Sequence, residues 1–209
     1  MADASPAHRH FIHVAAALGT RDEKLIGERL EQAAAVIDPV GVDELLLMSF
    51  FVTGFPAGLA ALRLWKARRP PGPRSRDSEG PDDLAARGAA TCQAVYGSQF
   101  QPLSERLAGL HPDLPHFVID IGYGAMMGRP GLTLGVRELC MVAMLVPWNA
   151  PVQLYSHIRG ALLNGVAPGQ VEDAVKAGIA AAALTSSDSL IAENATDTLE
   201  RVLASNPGG

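Results

Sequence analysis

The sequence predicts an all-α protein, a helical bundle built from two related halves. Three observations predict it. Hydrophobic residues make up 48% of the 209 and aromatics only 5%, so alanine and leucine carry the apolar content and favour helix. Apolar residues recur at helical spacing, as in Leu25, Ile26, Leu30, Ala33, Ala34 and Ile37. The stretch from Arg137 to Gly165 reads as two helices joined by a turn so short that they must run antiparallel.

Taken in order, Met1 to Arg9 is polar and reads as a tail. His8, His10 and His13 lie close together, but no cysteine or carboxylate cluster accompanies them, so no metal is expected. Phe11 to Leu18 reads as a short helix ending at Gly19. Thr20 to Ile37 is amphipathic, and Thr20 with Glu23 makes a capping box. Val42 to Trp65 is a second helical run, which Gly54 and Pro56 should kink or split. Lys66 to Asp83, rich in proline and charge, reads as a linker. The chain thus divides into an N-terminal helical half at 1–65, a linker at 66–83 and a C-terminal helical domain at 84–209.

Leu84 to Val95 and Leu103 to Leu110 read as short helices around Gly97. Pro112 to Met127 reads as a helix capped by Asp113. On it, His116, Asp120 and Tyr123 are spaced four and three apart and share one face, either lining a cavity or marking an edge between core and solvent. Gly128 to Gly131 is a turn by composition. Thr133 to Val146 is apolar nearly all round, hence buried, and Pro147 ends it. Asn149 caps the next helix, Pro151 sits in its first turn, and Gly165 stops it. Pro168 to Ala183 and Ser187 to Leu203 are the last helices, and Asn206 begins a frayed end.

The hairpin brings two titratable groups to one level. Glu138 lies eight residues before Val146 and His157 seven after Ala150, so each sits about 10–12 Å from the turn. A carboxylate on a buried helix needs a partner, and a histidine at that level supplies one. The pair is either a proton-transfer unit or a structural hydrogen bond that pins the hairpin. Beside the apolar stripe of Leu154, Ile158, Ala161 and Leu162, a polar stripe of Gln153, His157, Gly160 and Asn164 puts His157 at an edge, with room left by Gly160. Arg129 is the natural anchor for a substrate carboxylate, since a guanidinium grips one with two bonds; Arg137 and Arg159 have the same chemistry available for surface pairs.

The string RPGLTLGVREL, followed by QLYSHIRGALLNGVAPGQVED, resembles the carboxymuconolactone decarboxylase family over about Tyr123 to Asp173. The wider superfamily includes alkylhydroperoxidase D-type proteins, which carry a Cys-x-x-Cys just before the histidine. Here those cysteine positions hold Ala150 and Gln153, so the resemblance implies the fold and the acid/base residues, Glu138 and His157, but not peroxidase chemistry. It also implies a lyase without metal or organic cofactor, acting on a small unsaturated carboxylate or lactone, and assembly as a trimer or hexamer. His157 would be the acid/base, Glu138 would orient or charge it, and Arg129, Gln153, Tyr123 and His116 would bind substrate. The N-terminal run VDELLLMSFFVTGFPAGLAAL resembles the family segment after the histidine helix. Val42 to Gly54 matches Val171 to Ala183 in spacing, which suggests an internal duplication. The first half holds roughly Glu28 where the second holds His157.

Other classes fare less well. A net charge of −5 and a pI near 5.6 argue against a general nucleic-acid surface. The longest apolar run, Leu45 to Val52, is too short to span a bilayer, and no signal peptide is visible, so a cytoplasmic location is expected. Cys92 and Cys140 are far apart and read as buried residues in a reducing compartment, which disfavours a thiol peroxidase. The alternative to a lyase is a non-catalytic oligomeric member, structural or ligand-binding.

Overall fold

In the computed structural model, which describes residues 6–69 and 80–205, the chain is all-α: no strand occurs among the described residues. The first five residues of the predicted tail, positions 70–79 of the predicted linker and the predicted frayed end at 206–209 lie outside the described residues. The elements are α1 (Pro6–Thr20), α2 (Glu23–Ala34), α3 (Pro39–Lys66), α4 (Pro81–Tyr96), α5 (Phe100–Leu110), a π-helix (His116–Met127), α6 (Leu134–Leu145), α7 (Pro151–Leu163), α8 (Pro168–Thr185) and α9 (Leu190–Ala204). Core residues from Phe11 to Val202 form one contiguous cluster, so the N-terminal segment shares its core with the C-terminal one.

The main departure from the sequence reading is α1. Expected as a short helix beside a tail, it begins at Pro6 and lies at the centre of the bundle, packed on α6, α8, α2 and α3. Val14, Ala15, Ala16, Ala17 and Leu18 are all buried. A helix apolar on every side shows no stripe in sequence, yet this is the pattern of a central helix. The backbone of Gly19 lies against the Met144 carbonyl of α6, where a Cβ has no space.

The expected cap of α2 moves. Asp22, not Thr20, caps α2, accepting from the Leu25 N–H at 2.7 Å. Thr20 instead donates to the Ala17 carbonyl in the last turn of α1, because α1 runs through the position where the break was expected. The predicted kink in α3 is present: Gly54 has φ 76° and ψ 171°, outside any helix. Before it, Val42, Leu45, Leu46 and Met48 are buried; after it, Phe55 is 72% exposed. Among the described residues α3 is the one helix long and apolar enough to cross a membrane, and the break at Gly54 divides it into two shorter pieces.

The segment expected to be an α-helix capped by Asp113 winds as a π-helix from His116, and no side chain caps it. Gly128 N–H bonds the Tyr123 carbonyl five residues back, at 2.7 Å. The wider turn breaks the predicted common face, which assumed α spacing. His116 and Asp120 bond each other at the surface, at 2.7 Å, while Tyr123 is buried. The winding is held by α4, whose Gly88 lies against the Ile119 carbonyl as Gly124 lies against that of Leu84.

Candidate active site in the α6–α7 hairpin

Thr133 caps α6 through its hydroxyl, which accepts from Val136 N–H at 3.4 Å. Arg137 and Glu138 follow in the first turns, both fully buried. After Val146 the chain reverses through Asn149, which has φ 49°, and Pro151 opens α7. Asn149 does not cap that helix as expected. Its left-handed backbone makes the turn, and its side-chain oxygen accepts from Asn194 Nδ2 of α9 at 2.8 Å. The hairpin is antiparallel, and His157 Nδ1 meets Glu138 Oε2 at 2.8 Å. The imidazole is buried but for a small exposed part, and the carboxylate entirely.

Gly160 makes that meeting possible. A Cβ there would stand 2.8 Å from both Glu138 Oε2 and Val95 Cγ1, so only hydrogen lets the carboxylate lie across α7. The other carboxylate oxygen, Oε1, is buried and makes no hydrogen bond among the described residues. A carboxylate beside Nδ1 fixes the orientation of the ring, leaving Nε2 as the atom able to exchange a proton with a ligand.

His157 forms part of the wall of a cavity of about 930 Å³, together with Gln153, Tyr123 and Tyr96. Apolar walls come from α5, α7 and the π-helix, among them Leu103, Leu107, Val118 and Val152, and Phe51 of α3 contributes from the N-terminal segment. Arg106, Arg159 and Arg201 also line it. Arg201 lies over the Tyr155 ring, 5.5 Å from its centroid. A mainly apolar recess with a few convergent polar groups has the character of a small-molecule site.

Of the residues the sequence singled out, Glu138, His157, Gln153 and Tyr123 converge here. Two do not. His116 sits at the surface with Asp120. Arg129 does grip a carboxylate with two bonds, but it is Glu44 of α3: Nε to Oε2 at 2.7 Å and Nη2 to Oε1 at 2.8 Å. Arg137 Nη2 adds a third bond to Glu44 at 3.0 Å and holds the Arg129 and Pro130 carbonyls. Burial alone would raise the Glu44 carboxyl, but the two guanidinium groups outweigh it and hold it below the usual range. Arg129 is therefore a tie between the two segments of the chain.

Sequence reasoning missed Tyr96, whose hydroxyl is 2.7 Å from that of Tyr123. Its signal in the sequence was the Tyr-Gly step of ATCQAVYGSQF. Burial pushes the Cys92 thiol up to about 12, with the Glu138 charge adding to it, and burial pushes Cys140 likewise up to about 12. Neither is a thiolate at neutral pH.

No family model matches the chain. It is similar to Peroxisomal protein 2 of Schizosaccharomyces pombe, 27% identical over 177 residues, which cover 81% of this chain and 83% of that protein.

Proposed function

We propose that the chain is a cofactor-independent lyase of the carboxymuconolactone decarboxylase type, acting on an unsaturated carboxylate or lactone by His157/Glu138 acid–base chemistry. The observation that carries this reading is the 2.8 Å Glu138–His157 bond at the wall of a 930 Å³ cavity. Loss of carbon dioxide leaves a carbanion or enolate. His157, oriented by Glu138, protonates it from Nε2, and the ring regains its proton from water. The substrate carboxylate, expected on Arg129, falls instead to the arginines of the cavity itself, of which Arg159 is on the same helix as His157.

The test is release of carbon dioxide from a panel of β-keto acids and unsaturated lactone acids. Turnover that falls about 10²- to 10⁴-fold in His157→Ala and Glu138→Gln, with the helical spectrum unchanged, supports the reading. Turnover indifferent to both substitutions overturns it.

The exposed side chains of Phe51, Phe55 and Leu59 on α3 and Phe117 on the π-helix support self-assembly as a trimer or hexamer, which light scattering on the native chain and a Phe55→Ser variant would test. For location, the expected cytoplasmic placement stands beside the peroxisomal one in the relative's name, and a fluorescent fusion distinguishes them.

A further inference from the structure

The dyad moves a proton, but it leaves unanswered where the negative charge resides before protonation. When a carbon–carbon bond to a carboxylate breaks, its electron pair stays on the substrate. A carbonyl conjugated to that carbon takes the pair as an enolate, and the charge lands on oxygen. An enzyme lowers this barrier by presenting hydrogen-bond donors where the charge develops.

Two phenols occupy the cavity wall beside His157. Tyr96 and Tyr123 have their hydroxyl oxygens 2.7 Å apart and their rings edge to face, 5.7 Å between centroids. Two hydroxyls own two hydrogens, and only one can lie between the two oxygens. The other has no acceptor among the described residues. The pair therefore holds one unused donor at the surface of the cavity, strengthened by the bond behind it. Burial pushes Tyr96 up to about 12 and Tyr123 well above its ordinary value, and the Glu138 charge raises both. Both stay protonated through neutral pH, as a donor to an oxyanion must.

We propose that the Tyr96–Tyr123 pair is the binding site for a substrate oxygen that turns anionic, and that the substrate carries a carbonyl conjugated to the carbon that bears its departing carboxylate. This rests on the lyase reading of the same cavity. The carboxyl–carbon bond breaks, carbon dioxide leaves, and the electron pair moves into the carbonyl to give an enolate. The phenol donates to the enolate oxygen without giving up its proton. His157 then delivers its proton to carbon and the carbonyl is restored.

The probe is 4-nitrophenolate, a stable delocalised oxyanion, with 4-nitroanisole as the control that lacks one. Both are titrated by absorbance above the pKa of 4-nitrophenol. Tyr96→Phe and Tyr123→Phe each weaken the phenolate about tenfold or more and leave the anisole unchanged. Across phenolates of rising basicity, affinity for the native chain rises, and Tyr96→Phe flattens that slope, which a merely structural phenol does not do. Should Tyr123→Phe lose its helical spectrum, the half-buried Tyr96 decides alone. Failure of the native chain to bind the phenolate, or equal binding by Tyr96→Phe, overturns the proposal. The Tyr96 dependence is measured again in Glu138→Gln: turnover that survives there sinks the acid–base reading, whereas phenolate binding indifferent to Tyr96 sinks this one.

Discussion

Arg137 and Glu138 are neighbours on one helix, both wholly buried, and they serve two unlike carboxylate centres. Successive residues on an α-helix point in well-separated directions, so Arg137 reaches Glu44 of α3 while Glu138 reaches His157 of α7. Both oxygens of the Glu44 carboxylate are bonded by two guanidinium groups, which stay charged at neutral pH. The Glu138 carboxylate has one titratable partner, one oxygen without a bond among the described residues, and an opening to a cavity beside that partner. A carboxylate with permanent cations all round it can only hold parts together. One with a single imidazole at a cavity wall can exchange a proton. On the proposed reading, the difference separates a structural site from a chemical one within two consecutive residues.

The largest effect expected on that contrast is at the chemical centre. Glu138→Gln keeps the size of the side chain but removes the carboxylate that orients the imidazole, so turnover falls by about 10²- to 10⁴-fold with little change in the thermal midpoint. At the other centre the pattern inverts. Glu44→Ala leaves two guanidinium groups buried without their anion and costs about 3–5 kcal/mol of stability, read by urea unfolding, while cavity probes bind as before to the folded fraction. A Glu44 variant that loses cavity binding in proportion to its stability would merge the two centres into one network.

The two centres were unequally legible in sequence. Glu138 and His157 could be paired because a proline-marked turn fixes the axial level of residues on either side of it, whatever the rest of the chain does. Arg129 carried the right chemistry, but its carboxylate is 85 positions away, and nothing local names Glu44. The burial of α1 was hidden because alanine on all sides gives no periodic signal. His116 was expected on the face of Tyr123 because spacing arguments assume α winding. Gly122, Gly124 and Gly128 were the visible hint that the backbone here packs unusually close. Tyr96 belongs to the site only through that packing.

Gly160 allows a sharper cut between the centres. Gly160→Ala puts a methyl group 2.8 Å from Glu138 Oε2 and Val95 Cγ1, and overpacking of this kind costs about 1–3 kcal/mol. The displaced carboxylate lengthens the bond to His157, so turnover falls while phenolate binding at Tyr96 stays. Unchanged turnover would mean that the dyad tolerates a longer bond than its geometry implies.

The smallest effect expected is an acid limb in the stability curve that belongs to Glu44 alone. Its carboxyl is held below its ordinary value of 4.5 in the folded chain by Arg129 and Arg137, against the opposing effect of burial. Between its folded pKa and 4.5 the unfolded chain binds more protons at this group than the folded one does. Stability from this group is thus fully present above that window and is lost as pH falls through the folded pKa. Urea unfolding of the native chain should therefore weaken below pH 4.5 more steeply than that of Glu44→Gln, whose neutral amide has no proton to gain. Parallel curves for the two proteins would mean that the guanidinium groups do not bind the carboxylate more tightly than they bind its acid, and the centre would no longer differ from the Glu138 pair in holding a fixed charge.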